Sequence, residues 1–316
     1  MYNALKSCYL CIIREEQDMN EIAKIDTVHK YNEYMGVTTL HPLISVIRLE
    51  ECHSMQLKRF NYGIYYIVLK NVNCGPLSYG INHYDYQDGT IVAVAPGQVF
   101  GIETDNMIQP KGWALAFHPD LIHGTELGRS IKEYSFFSYD VNEALHISEK
   151  EREIIENCFR NILTELNRDI DKHTNQLLSR SISLLLDYCM RFYDRQFITR
   201  RKANADILTR FENLVDNYLQ SGKTQTLGFP SVTYCADVLC LSPNYFGDLI
   251  KKETGKTAQE YIQLKIIDFA KEKLSGTNLS VAEIADELGF KYPSHFARLF
   301  KKVSGLSPSD YRQIMN

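Results

Sequence analysis

The hydrophobic positions of this chain change rhythm once. Over the first 140 residues they come in short dense runs: HPLISVIRL (41–49), GIYYIVL (63–69), TIVAVAP (90–96) and GWALAF (112–117). These runs are rich in β-branched and aromatic residues. Turn formers such as Asp88-Gly89 and Pro96-Gly97 bound them, which predicts strands. Strands this short and this frequent predict a sandwich or small barrel. From Ser148 the spacing becomes helical. SEKE (148–151) is a capping box, with Ser148 as N-cap and Glu151 reaching back. Ile154, Ile155, Cys158, Phe159, Ile162, Leu163 and Leu166 then form one stripe, and Leu178, Ile182, Leu185 and Leu186 a second between Leu177 and Tyr193. A polar turn from Asp169 to His173 joins the two into a helical hairpin. If that hairpin pairs two copies, Leu185→Asp or Leu186→Asp weakens the dimer. RRKAN (200–204) reads as an exposed linker, and a further helix from 206 to 219 precedes the loop SGKTQTLGFP.

The last 80 residues repeat themselves. Ala236 and Leu239 match Ala285 and Leu288; Phe246, Leu249, Lys251, Lys252, Gly255 and Tyr261 match Phe296, Leu299, Lys301, Lys302, Gly305 and Tyr311. In the second copy Ser280 and Glu283 cap a helix whose inner face is Ile284, Ala285 and Leu288. Gly289 suits the left-handed residue that ends it. Pro293 suits the first turn of the next helix, which turns Phe296, Leu299, Phe300 and Val303 inward. Ser294, His295, Arg298, Lys301 and Lys302 are left facing outward. The first copy repeats the plan with Ser242-Pro243 and inward Phe246, Leu249 and Ile250. Two helices about a short turn, the second with a polar outer face, form the helix-turn-helix arrangement whose second helix enters the DNA major groove. TAQE (257–260) caps a helix joining the copies, with Ile262, Ile266, Phe269, Ala270 and Leu274 at helical spacing. Should it hold the two reading helices about 34 Å apart, one chain reads two successive major-groove turns.

The stretch from about Asp206 to Tyr311 resembles the DNA-binding domain of the AraC/XylS family, through IADELGF, SHFARLFKK and G-x-S-P-x-x-Y-R (284–312). The front half resembles that family's cupin-like sensor, with QDGTIVAVAPGQ (87–98) like a cupin hairpin. The resemblance implies a bacterial transcription regulator, usually an activator working with RNA polymerase. Such a protein is often controlled by a small molecule and lacks catalytic activity. It implies an α+β chain with four parts. These are a cupin-like sensor (1–147), a helical hairpin for homodimerisation (148–199), a linker (200–205) and a double helix-turn-helix domain (206–316). The reading helices are expected at 243–252 and 293–302. Tyr292, Ser294, His295, Arg298, Lys301 and Lys302 would meet DNA from the second. Arg298 either reads guanine or touches phosphate only. From the first helix, Asn244, Tyr245, Lys251 and Lys252 would contact the backbone, and Asp248 can accept from a cytosine amino group. Two departures stand out. Gly247 offers no side chain where family members carry base contacts. Cys240 replaces the turn glycine at a cost of about 1 kcal/mol, so the first turn should be looser or differently shaped.

Composition refines this picture. Of 316 residues 44% are hydrophobic and 23% charged, enough apolar material for real cores. No run of about 18 apolar residues predicts a membrane span. The N-terminus lacks a signal-peptide pattern, which places the protein in the cytoplasm. Eight scattered cysteines fit a reducing compartment. From Lys223 onward twelve basic and ten acidic residues give a net of +2, against −6 for the remainder. Nucleic-acid binding must therefore rest on where the charges sit. A DNA-repair enzyme of the Ada type, built on the same reader, needs clustered zinc-bound cysteines; Cys8 and Cys11 lack a companion pair. His83, His118 and His123 are too dispersed for a metal site, so no cofactor is expected. A small apolar cavity in the front half would take an effector, and Tyr65, Tyr66 and Trp113 either line it or are plain core. Otherwise the front half serves assembly alone.

Overall fold

The computed structural model describes residues 22–56, 58–70, 77–79, 82–84, 89–101, 107–139, 143–199 and 201–315. Its contacts separate two compact units, one made of Met1–Phe137 with Ala144–Phe192 and the other of Ser138–Glu143 with Tyr193–Asn316. Cys8 and Cys11 lie outside the described residues.

The front unit is built on an antiparallel five-stranded sheet. Its order is Leu145–His146, Thr90–Val94, Tyr65–Lys70, Gly112–Phe117 and Ile44–Arg48. All four dense apolar runs thus supply strands. Gly112–Phe117 is buried at every position, as a strand covered on both faces must be. A second sheet joins Lys24–Ile25, Phe60–Tyr62 and Val99–Phe100. Two short pairs, Met55–Gln56 with Met107–Ile108 and Leu77–Tyr79 with Asn82–Tyr84, complete the strands among the described residues. These separate sheets are compatible with a cupin-like arrangement, with no ladder closing them into a barrel among the described residues.

Strand register sorts the aromatic side chains. Neighbours along a strand point to opposite faces, and partners across a ladder share a face. Tyr65 lies opposite Phe117 and stacks on it at 4.8 Å. Trp113 lies opposite Leu69 on the same face and stacks on Phe159 of the helix Glu149–Leu166. Tyr66 and Val68 therefore face the other way, toward the helix Val28–Met35, where Tyr66 meets Tyr31 at 5.5 Å.

The helical hairpin forms from Glu149–Leu166 and Thr174–Thr199. The Ser148 capping box is present, with the backbone N–H of Ser148 donating to Glu151 at 2.8 Å. Leu185 and Leu186 are fully buried within the front unit, whereas Leu177 and Leu184 are exposed. A charge at 185 or 186 would therefore damage folding and report nothing about a dimer. The expected linker is also absent. Residues 201–205 open a helix, Arg201–Gln220, because Arg, Lys and Ala favour helix and no Gly or Pro interrupts. Asn204 is buried there and donates to the Phe197 carbonyl at 2.9 Å and to Glu253 at 3.2 Å.

Candidate nucleic-acid interface

The second unit contains both helix-turn-helix copies. The first pairs Val232–Val238 with a first reading helix, Pro243–Thr254. The second pairs Val281–Glu287 with a second reading helix, Pro293–Ser304. The connecting helix Ala258–Gly276 lies between them in the chain. Its Ile267, Ala270 and Leu274 pack with Ile284, Ala285, Leu288, Phe296 and Phe300 into one buried cluster. Arg312 donates from Nε to the Leu274 carbonyl at 3.0 Å, which satisfies a terminal carbonyl of the connecting helix. Capping boxes start the connecting helix at Thr257 and Val281–Glu287 at Ser280.

The two turns have the same shape, contrary to the expectation for Cys240. Cys240 has φ +59 and Gly289 φ +80. The N–H of Cys240 donates to Asp237 and that of Leu241 to Ala236; the N–H of Gly289 donates to Asp286 and that of Phe290 to Ala285. The surroundings explain the different residues. A Cβ on Gly289 would fall 2.0 Å from the carbonyl oxygen of Thr224, in the short helix Lys223–Leu227 that covers this turn. Cys240 is exposed and its side chain meets no such obstacle.

The second reading helix presents a polar face to solvent. Phe296 and Phe300 are fully buried, while Ser294, His295, Arg298, Lys301 and Lys302 are exposed. Tyr292 is 51% exposed at the helix start, beside His295. Among the described residues none of Arg298, Lys301 and Lys302 is ion-paired. The arrangement offers a guanidinium at mid-helix with two ammonium groups a turn further on, suited to a base edge flanked by phosphates.

The first reading helix is engaged inside its own unit. Ser242, its N-cap, is buried; its N–H donates to Glu143 at 2.7 Å and its hydroxyl donates to the same carboxylate. Glu143 is itself only 2% exposed. A carboxylate thus sits at the positive end of the helix, a place that also suits a DNA phosphate. The Tyr139 hydroxyl donates to Asp248 at 2.5 Å, and its ring stands edge-on to Tyr193 and Tyr245. Tyr245 is buried and also packs on Phe197. Lys252 pairs with Asp194 and lies over the Phe197 ring. Of the residues expected to meet DNA here, Asn244 and Lys251 are exposed without such partners. Sequence reasoning missed Tyr139, Glu143 and Asp194. Each acts across a long separation in the chain, so no local spacing marks it.

Residues 235–314 match a family model described as a helix-turn-helix domain. The chain is 32% identical over 112 residues to the uncharacterized HTH-type transcriptional regulator YtdP of Bacillus subtilis, a match covering 35% of this chain and 14% of YtdP. It is 26% identical over 226 residues to the uncharacterized HTH-type transcriptional regulator YijO of Escherichia coli, covering 71% of this chain and 76% of YijO. Among solved structures, the C-terminal domain of AraT, a response regulator from Geobacillus stearothermophilus, matches at 28% identity with a TM-score of 0.30. That match covers 34% of this chain and 84% of the AraT chain. The chain therefore spans only a small part of YtdP's length. The duplicated helix-turn-helix matched over residues 235–314 supports the resemblance of this segment to the DNA-binding domain of the AraC/XylS family.

Proposed function

We propose that this chain is a cytoplasmic, sequence-specific transcription regulator that binds double-stranded DNA through helices 243–252 and 293–302 and carries out no catalysis. The observation that carries the reading is the second reading helix, whose Arg298, Lys301 and Lys302 share a solvent-facing surface on a firmly packed scaffold. The family resemblance adds activation through RNA polymerase. A homodimer through the exposed Leu177 and Leu184 of the hairpin completes the assembly; light scattering on Leu184→Asp reads it as a halved mass. In the conformation described, the first reading helix is held by Tyr139 and Glu143, so two-site binding requires their release. A small effector in the front unit supplies control by favouring one arrangement over the other, to the extent of its differential affinity.

The test is in-vitro selection from random DNA with the full chain at two salt concentrations. A bipartite site with halves about one helical turn apart is expected. Arg298→Ala should lose preference at one half by about 1–3 kcal/mol, leaving the other half intact. Selection of no sequence, with binding that only fades as salt rises, would defeat the reading.

A further inference from the structure

The five-stranded sheet ends at Ile44–Arg48, which pairs on one side only, with Gly112–Phe117. A groove of about 300 Å³ runs along its other side, and all five strand residues line it. Side chains of a strand alternate between its faces, so five residues in a row meet a groove only along the strand's edge. Leu163 and Leu166 of the helix Glu149–Leu166 add to the lining, as do Val37, Thr38 and Leu40. The groove shares no lining residue with the cavity of about 100 Å³ beside Tyr66, which Tyr65 and Trp113 do not line.

The ladder decides which backbone groups face the groove. The His118 N–H donates to the Leu43 carbonyl at 2.8 Å, so Leu43, Ser45 and Ile47 turn their backbone groups toward Gly112–Phe117. Val46 and Arg48 turn theirs outward, as does Ile44, which bridges back to His41. Among the described residues no backbone group bonds to the outward N–H of Val46 or Arg48, or to the Val46 carbonyl. Val46 is only 5% exposed, so water has little access to these groups, and an unpaired backbone group there is costly. Proteins guard open edges with Lys, Pro or a bulge. ISVI (44–47) has none of these, and its ladder runs unbroken.

Charge narrows the occupant. Arg48 and Glu51 both line the groove and both are exposed, and neither is ion-paired among the described residues. Two copies paired edge to edge would bring Arg48 against Glu51 only in a register that lays the turn Leu49–Glu51 on itself, where there is no strand to pair. We propose that the edge binds an extended peptide segment of a partner protein. The segment adds a sixth strand through Val46 and Arg48 and sets apolar side chains against Leu40 and Leu163. It brings an acidic residue to Arg48 and a basic one to Glu51. This surface is independent of the DNA-binding reading.

Selection from a displayed library of random decapeptides on the purified full chain tests it. Enriched peptides should carry an acid and a base around alternating apolar residues, and a synthetic copy should bind with Kd at or below about 100 μM. Methylating its backbone nitrogens one at a time should weaken binding about tenfold or more at every second position and little between, the signature of a ladder. Arg48→Glu should exchange the selected acid for a base. Leu40→Asp, at a position 51% exposed, should weaken the peptide about tenfold with the melting temperature unchanged. The proposal fails if no peptide is enriched, or if the enriched peptides ignore both variants. Methylation effects without alternation would replace strand addition with side-chain docking and overturn it. A dimer in light scattering that Leu40→Asp breaks would give the edge to a second copy and overturn it as well.

Discussion

Asp248 in the first reading helix stands where Arg298 stands in the second, and Tyr245 where His295 stands. The first pair is occupied within the unit, Asp248 by Tyr139 and Tyr245 by two aromatic rings. The second pair faces solvent. The turns differ in the opposite sense. The second turn is covered by Lys223–Leu227 and tolerates only glycine, while the first is open and carries Cys240. One plan has therefore been placed in two environments. The copy with the buried turn keeps an exposed reading face, and the copy with the exposed turn has Tyr245 and Asp248 of its reading face occupied, with Asn244 and Lys251 left exposed. The duplication fixes geometry, and the neighbours of each copy decide which surface remains for DNA.

The largest expected effect breaks the symmetry of the turns. Gly289→Ala places a Cβ against the Thr224 carbonyl oxygen and also strains a left-handed residue. It should destabilise the unit by about 2–4 kcal/mol. Cys240→Gly relieves the same backbone strain while adding chain entropy to the unfolded state, so the net change should stay within about 1 kcal/mol. Urea unfolding of the full-length variants measures both. Similar losses at the two sites would mean that the cover over Gly289 does not matter.

This contrast also shows what could be read from the chain alone. Capping boxes at Ser148, Thr257 and Ser280, the left-handed turn at Gly289, and the inward Phe296 and Phe300 were all legible. Each depends on residues within a turn or two of one another. The left-handed turn at Cys240 was not legible, and neither was the occupancy of the first reading helix. Glu143 reaches Ser242 across 99 residues, and Asp194 meets Lys252 across 58. Nothing in the local pattern of either acid announces a partner. The supposed linker failed for a related reason: RRKAN is polar enough for a loop, but Asn204 is buried by contacts with Phe197 and Glu253 that only folding creates. In the sheet, alternation was visible, yet which of Tyr65 and Tyr66 faces the cavity follows from strand order.

An effect of middle size concerns the occupied part of the first reading face. Glu143→Gln with Tyr139→Phe weakens the contacts at Ser242 and Asp248 while preserving size. If those contacts compete with DNA, full-chain affinity for the selected site should rise about three- to tenfold. Asp194→Asn releases Lys252 and should do less to affinity at low salt. It should steepen the slope of log affinity against log salt by about one if Lys252 then meets a phosphate. Fluorescence anisotropy across a salt series separates the two. Unchanged affinity in the double variant would show that Tyr139 and Glu143 serve the fold of the unit and do not restrain its binding.

The smallest effect comes from acid, and it distinguishes the copies at their first helices. Ser280 and Glu283 form a reciprocal box at Val281–Glu287, whereas Ser231 caps Val232–Val238 with Tyr234 as the third residue after it, so no carboxylate returns. The backbone N–H and hydroxyl of Ser280 hold the Glu283 carboxyl below its ordinary pKa. A carboxylate with a lowered folded pKa adds stability that is fully present above its unfolded value and lost as pH falls through the folded one. Hydrogen exchange followed down through the carboxylate range should therefore show protection falling at the start of Val281–Glu287, with no matching change at Val232–Val238. Glu283→Gln, which retains a side chain able to accept from Ser280, should remove the pH dependence without removing the cap. A parallel loss in both helices would trace the effect to acid acting on the whole unit, since only one copy carries the box.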